Sequence, residues 1–119
     1  VPLPDLARPS RVEARLLMHK PVTSGTTGVL TCPANTTIRL RTIYVSNQTS
    51  AAQTFTVQIY RGATMYPLNS GVTVNAKNLF NVTTMDDALY LEPGDILIFE
   101  QTASTANTLT LFVSYEAIT

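Results

Sequence analysis

The residues best spaced for acid–base or metal chemistry lie in LYLEPGDILIFEQ, Leu89 to Gln101, where Glu92 and Asp95 flank Pro93-Gly94. A glycosidase needs two carboxylates facing a substrate across a cleft, one of them with a raised pKa. Turn geometry accounts for the same four residues without any chemistry. Pro93 presets φ at the first central position of a β-turn, and Gly94 accepts the positive φ of a type II turn at the second. Asp95 is short enough to bond a nearby backbone amide, and Glu92 closes the preceding strand. A turn tip in water is a poor place to raise a carboxyl pKa. The stretch reads as a chain reversal between two strands.

Other reactive types are sparse. Asp86-Asp87 is close enough in sequence to Glu92 and Asp95 to suggest Ca²⁺, but the spacing fits no EF-hand loop, and adjacent aspartates are ordinary turn formers. The single cysteine, Cys32, excludes an internal disulfide framework and any multi-thiolate metal site. It ends the apolar run VLTC and reads as a small buried hydrophobe. His19 is the sole histidine, and nothing in the spacing brings it to Cys32 as an activating base. There is no zinc histidine pair, phosphate-cradling glycine loop or nucleophile elbow. The expectation is a chain with no catalytic residues, cofactor or metal.

Arg39 and Arg41 alternate along one strand, with Arg61 expected beside them across a hairpin. Nucleic-acid binding calls for a net basic domain with aromatic rings among the charges. The formal net charge is zero, so these arginines read as a solvated or interface-facing strand. N-x-Thr sequons at Asn35, Asn47 and Asn81 arise readily by chance in so Thr-rich a chain and carry no inference.

The elements holding these residues alternate at period two. Pro2, Pro4 and Pro9 make residues 1–10 an extended arm, and Val1, Leu3 and Leu6 give it apolar side chains that suit docking on a neighbour. In RVEARLLMH, Val12, Ala14, Leu16 and Met18 share one side, opposite Arg11, Glu13, Arg15 and His19, as in a strand, while Val12, Leu16 and Leu17 also fit a helical period. A change of phase near Thr42, between Ile38/Leu40 and Ile43/Val45, is the mark of a bulge or of a strand covered on both faces. QTFTVQIYR alternates cleanly and is expected to pair with that strand as a hairpin. GATMYPLNSG reads as a long irregular connection. Ile96 to Phe99 is apolar at every position, as in a central strand covered on both faces. TASTANT is expected to close a last hairpin into LTLFVSYEAI. The sum is about eight short strands with turn signals between them: an all-β, single antiparallel β-sandwich, jelly-roll or immunoglobulin-like, over residues 11–119.

Composition agrees. One chain of 119 residues is one domain, and charged residues, at 13 %, fall below the usual quarter or so. Through Arg61 there are seven Lys/Arg and two Asp/Glu, and after it Lys77 against six acids. Strands from the two halves are therefore expected to pair and neutralise each other. No apolar run spans a bilayer, and VPLPDLARPSR lacks the apolar core of a signal peptide, so assembly in a cytoplasm is the expectation.

Two stretches, ANTTIRLRTIYVSNQTSAAQTFTVQIYRGA and LYLEPGDILIFEQTASTANTLTLFVSYEAI, resemble small β-sandwich virion proteins of tailed bacteriophages. In those a strand ending V-x-N-x-[ST] turns through small residues, L-x-x-GD-x-[IL] precedes a final hairpin, and V-S-Y/G-x-E lies in the last strand. Val45-Ser46-Asn47 with Thr49, Leu91 to Ile96, and Val113 to Glu116 match. The resemblance covers about two-thirds of the chain, from Ala34 onward. It implies a non-enzymatic virion structural protein, a capsid decoration (cement) subunit or a neck or tail accessory one. The implied partners are the major capsid protein or other virion subunits and further copies of itself, as a trimer, with neither nucleic acid nor membrane bound. Leu3, Leu6, Arg8 and Arg11 are the expected contact residues of the arm. The other function class considered is a carbohydrate-binding sandwich using Tyr44, Tyr60, Tyr66 and Tyr90 as a platform.

Overall fold

The computed structural model describes residues 9–20, 25–83, 89–101 and 109–119, and every regular element within them is a strand. In chain order these are β1 (Val12–His19), β2 (Gly25–Thr31), β3 (Thr37–Asn47), β4 (Gln53–Arg61), β5 (Thr64–Val74), β6 (Leu79–Thr83), β7 (Leu89–Leu91), β8 (Ile96–Gln101) and β9 (Leu109–Ile118). Val, Ile, Thr, Tyr and Phe dominate them, the residue types that fit a pleated, half-buried surface. Among the described residues no helix is long and apolar enough to cross a membrane.

The strands form two antiparallel sheets. One has the order β1-β9-β3-β6, with β7 also paired to β3; the other runs β2-β8-β4-β5. Taking β6 and β7 as two pieces of one strand line along β3, this is the eight-position wrap of a jelly roll. The immunoglobulin-like alternative is thereby excluded. The wrap pairs strands from opposite ends of the chain: β1 with β9, β2 with β8, β3 with β7 and β6, and β4 with β5.

That topology corrects the expected hairpins. β3 and β4 lie in different sheets, so the Gln48–Ala52 connection crosses the sandwich instead of reversing within one sheet. β8 and β9 are likewise in different sheets. Among the described strands the one two-residue hairpin is β4–β5, where the sequence suggested an irregular connection. Gly62 (φ 55°) and Ala63 (φ 69°) make its tip between the paired Arg61 and Thr64, as a type I′ turn requires. β5 is an edge strand, which is where Pro67 can sit without breaking a ladder on both sides.

Where periodicity alone was at issue, the expectations hold. The β3–β9 register shifts between Leu40 and Thr42, which keeps Ile38, Leu40, Ile43 and Val45 all buried. β8 is central, and Leu97, Ile98 and Phe99 are all buried. Leu40, Ile43, Val45, Leu109, Leu111 and Val113 from one sheet meet Phe55, Val57, Leu97 and Phe99 from the other. Phe55 stacks on Phe99 with ring centroids 6.0 Å apart and takes Phe80 edge-on at 5.7 Å. Such aromatic pairs add about 0.5–1.5 kcal/mol beyond the area they bury.

Candidate interaction surface

The two carboxylates of the opening stretch meet different fates. Asp95 donates its amide to the Glu92 carbonyl at 2.9 Å and Gly94 has φ of 90°, so the turn is present. It carries the chain from β7 in one sheet to β8 in the other. Asp95 is not at a wet tip; it is 3 % exposed. Its Oδ2 accepts the Glu92 amide at 2.8 Å, and its two oxygens accept Arg61 Nε at 2.9 and 3.0 Å. Burial pushes the carboxyl pKa up. The hydrogen bonds from Arg61 and the Glu92 amide, with the guanidinium charge, outweigh it and hold the group below its ordinary value. Glu92 is exposed, and its carboxylate stands 3.9 Å from the same guanidinium. Asp95 is thus an ionised anchor for Arg61.

The segment opposite is stitched to this turn. Cys32 donates its amide to the Asp95 carbonyl at 2.9 Å, and Gly94 donates to the Cys32 carbonyl at 3.0 Å. The thiol lies 3.2 Å from the Thr36 carbonyl and 3.4 Å from that of Leu91, and burial chiefly raises its pKa. His19 packs its ring edge-on to Phe99 at 6.5 Å. Asp86 and Asp87 lie outside the described residues. Among those described, no group of three His, Cys, Asp or Glu side chains is placed to hold a metal ion.

The basic residues do not gather. Arg39 and Arg41, on β3, both face Glu116 of β9, at 3.6 and 3.1 Å, whereas Arg61 lies in the other sheet. The expected trio is corrected for the same reason as the β3–β4 hairpin. Each of these three arginines pairs with an acid from the second half of the chain, whereas Arg11 and Arg15 pair with Glu13 of their own half. Tyr44 and Tyr90 belong to the β1 sheet and Tyr60 and Tyr66 to the β2 sheet, so the four tyrosines make no single platform.

Asn47 is the residue whose importance the sequence understated. It is fully buried at the end of β3. Its Nδ2 donates to the carbonyls of Ala51 (2.9 Å), Val74 (3.0 Å) and Asn75 (3.3 Å), and its Oδ1 accepts the Thr49 amide at 2.9 Å and the Thr49 hydroxyl at 2.7 Å. The spacing Asn47-Gln48-Thr49 was the available signal, being that of an Asx turn. The Asn47 and Asp95 motifs of the sequence are therefore corner fasteners.

Part of the outer surface is apolar. β1 forms where expected, and its Val12-Leu16-Met18 side is the outer one: these are 50, 59 and 65 % exposed, while Leu17 and His19 turn inward. Alternation identifies two faces without saying which is covered. The cross-strand register continues this outer face as Met18, Phe112, Tyr44 and Asn81 in one row and Leu16, Ser114 and Thr42 in the next. Leu79 on β6 adds a side chain 59 % exposed at the far edge. Exposed apolar side chains scattered singly need no explanation, whereas Val12, Leu16 and Met18 share one face of a single edge strand.

Behind β1 the sandwich is open, with a cleft of about 380 Å³ whose lining includes Arg11, Glu13, Arg15, Leu30, Ile38 and Tyr115. Arg11 is exposed there, 3.5 Å from Glu13, and its amide is held by the Thr119 carbonyl at 3.1 Å. Of the expected arm residues, Leu3, Leu6 and Arg8 lie outside the described residues.

No protein-family model and no curated protein matches this sequence. Among solved structures, the chain is similar to one in the acidic stable capsid structure of Helicobacter pylori bacteriophage KHP30. The TM-score is 0.55 at 10 % identity, over 94 % of this chain and 90 % of that chain. The two share a fold over nearly their whole lengths.

Proposed function

We propose that this chain is a non-enzymatic structural protein of a tailed-phage virion, a decoration (cement) subunit that binds between neighbouring capsid subunits and stabilises the shell. The observation that carries the reading is the exposed apolar face of Val12, Leu16, Met18 and Leu79 on a sandwich whose buried polar side chains are committed to its corners. The likeness in fold to a chain of a phage capsid supports it. So does the motif resemblance, whose key residues Asn47 and Asp95 fasten corners of the sandwich.

The mechanism is linkage. A subunit that binds the assembled shell and not its dissociated parts stabilises the shell by mass action, and repetition over a lattice turns modest contacts into avidity. The outer face of the β1 sheet supplies apolar contact. The proline-rich arm, through Leu3, Leu6, Arg8 and Arg11, pins the subunit in place.

The test is to mix the purified chain with particles lacking it, then measure co-sedimentation and particle survival on heating. Saturable binding with raised particle stability is expected; a chain that stays in the supernatant overturns the reading. The copy number per purified virion then separates decoration from the neck or tail accessory alternative. Hundreds of copies mean shell, and a handful mean neck or tail.

A further inference from the structure

We propose that β1 is a homotypic docking edge: two copies of this chain join their β1 strands antiparallel about a two-fold axis through Ala14. The premise is the edge itself. β1 ends its sheet, and among the described residues it pairs with β9 alone. An open strand edge templates pairing unless it is short, bulged, proline-bearing, covered or lined by charges that repel the incoming strand, and the inward charges of β1, Glu13 and Arg15, are of opposite sign. The other edges carry such protection. The β2 register shifts at Gly28/Leu30, β5 has Pro67 and two shifts, and β6 and β7 are short pieces. β1 keeps an unbroken register from Val12 to His19.

Its hydrogen-bonding parity follows from one end. Arg11 and Thr119 exchange both backbone bonds, Arg11 N to Thr119 O at 3.1 Å and Thr119 N to Arg11 O at 2.8 Å. In an antiparallel ladder such pairs alternate, so the odd-numbered residues of β1 turn their amides and carbonyls to β9. Those of Val12, Ala14, Leu16 and Met18 face the open edge.

The charges then select the register. Glu13 and Arg15 sit in the inner phase of β1, where Glu13 bonds Arg15 within the chain. A pairing centred on Glu13 sets Glu13 against its own copy and Arg11 against Arg15. One centred on Arg15 sets arginine against arginine. A pairing centred on Ala14 places Glu13 opposite Arg15 of the second copy, twice, in the closer, non-hydrogen-bonded positions. It also places Val12 against Leu16 of the second copy on the outer face, with Ala14 meeting Ala14 as a doubly bonded pair. Backbone, charge and apolar pattern agree on this register. The result is a two-fold pair, in place of the trimer that the family resemblance implies.

The inference stands apart from the virion reading, because its readout is mass in solution with no particle present. Sedimentation equilibrium should give about twice the chain mass of 13.0 kDa. Glu13→Arg and Arg15→Glu should each shift the chain to monomer with an unchanged far-ultraviolet spectrum, and the double exchange should restore the pair. Ala14→Cys should cross-link under mild oxidation. Met18→Cys, also exposed but far from the axis, should not, and the unaltered chain with its buried Cys32 is the blank. A monomeric wild type, a double exchange that stays monomeric, or equal cross-linking by the two cysteine variants would each overturn the proposal.

Discussion

Arg61 and Asp95, in strand and turn, are held together by a fork: Nε reaches both carboxylate oxygens and Nη2 reaches Oδ2. The two ends differ in exposure, the Asp95 side chain at 4 % and the Arg61 side chain at 47 %. Asp95 therefore depends on Arg61 more than Arg61 depends on Asp95. Replacing Arg61 with Met leaves a buried carboxylate with only the Glu92 amide, a loss of roughly 1–3 kcal/mol. Urea denaturation at neutral pH should show this as a lowered midpoint with an unchanged slope. The reverse change, Asp95→Asn, keeps one acceptor oxygen for the Glu92 amide and Arg61 Nη2, turns the other into an NH2 group and leaves no buried charge unpaired, and should cost less. If Asp95→Asn proves costlier than Arg61→Met, this ordering is mistaken.

Acid should act on the same pair. The folded-state pKa of Asp95 lies below its ordinary value of 3.8, so the unfolded chain binds its proton first as pH falls. The contribution is complete above that ordinary value and is lost as pH falls through the lower folded value. Wild type should therefore weaken steeply at the acid end, and Asp95→Asn should have a flatter profile there. Denaturation midpoints from neutral pH down to about pH 2 test this, since the linkage predicts no Asp95-dependent slope higher up. Parallel profiles would refute it.

The sequence made strand positions and the β3 bulge legible because both follow from side-chain period, which is local. Sheet membership did not follow, because a jelly roll pairs residues far apart in the chain: Val12 with Ile118, Gly25 with Gln101. Gln48–Ala52 and Pro93-Gly94 have turn chemistry, and that chemistry is the same whether the chain reverses in one sheet or crosses to the next. Which face of β1 looks outward has a related cause. At an edge strand the core ends, so Arg11, Glu13 and Arg15 overhang an open cleft and escape the burial that an inward phase implies. Alternation could not reveal that.

Asn47 should prove costlier to lose than its loop position suggests. Asn47→Ala removes the donor shared by the Ala51, Val74 and Asn75 carbonyls and the acceptor for Thr49. Each buried group left unpaired costs on the order of 1–3 kcal/mol, so a loss at the upper end of that range is expected. Hydrogen exchange at the Thr49 amide should accelerate with it. Protection unchanged from wild type would mean the corner holds without Asn47.

Gly94 isolates backbone strain from crowding. Its φ is +90°, and a Cβ added there would meet nothing within 4 Å. Gly94→Ala should therefore cost about 1–2 kcal/mol through conformation alone. Gly28→Ala is the contrasting case, since its Cβ would stand 3.2 Å from Ile96 Cγ2 at a φ that needs no glycine. Thermal unfolding of both variants should show Gly94→Ala as a loss that no smaller neighbouring side chain relieves. In an Ile96→Ala background, which lacks Cγ2, Gly28→Ala should cost less than in the wild type.

Met18 and Leu79 probe the apolar face away from the Ala14 axis. Both are exposed, and surface substitutions of this kind usually change stability by less than about 0.5 kcal/mol. Met18→Ser with Leu79→Ser should leave the unfolding midpoint near wild type. If the outer face of this sheet is what meets the shell, the same double variant should lose most of its co-sedimentation with particles, with solution mass unchanged because the Glu13–Arg15 pairing is untouched. Removal of residues 1–8 makes the complementary test, expected to weaken incorporation while the face remains intact. A double variant that binds particles as wild type does would mean that the apolar rows are not the contact. The exposed side chains of Val12, Leu16, Met18 and Leu79 would then need another explanation.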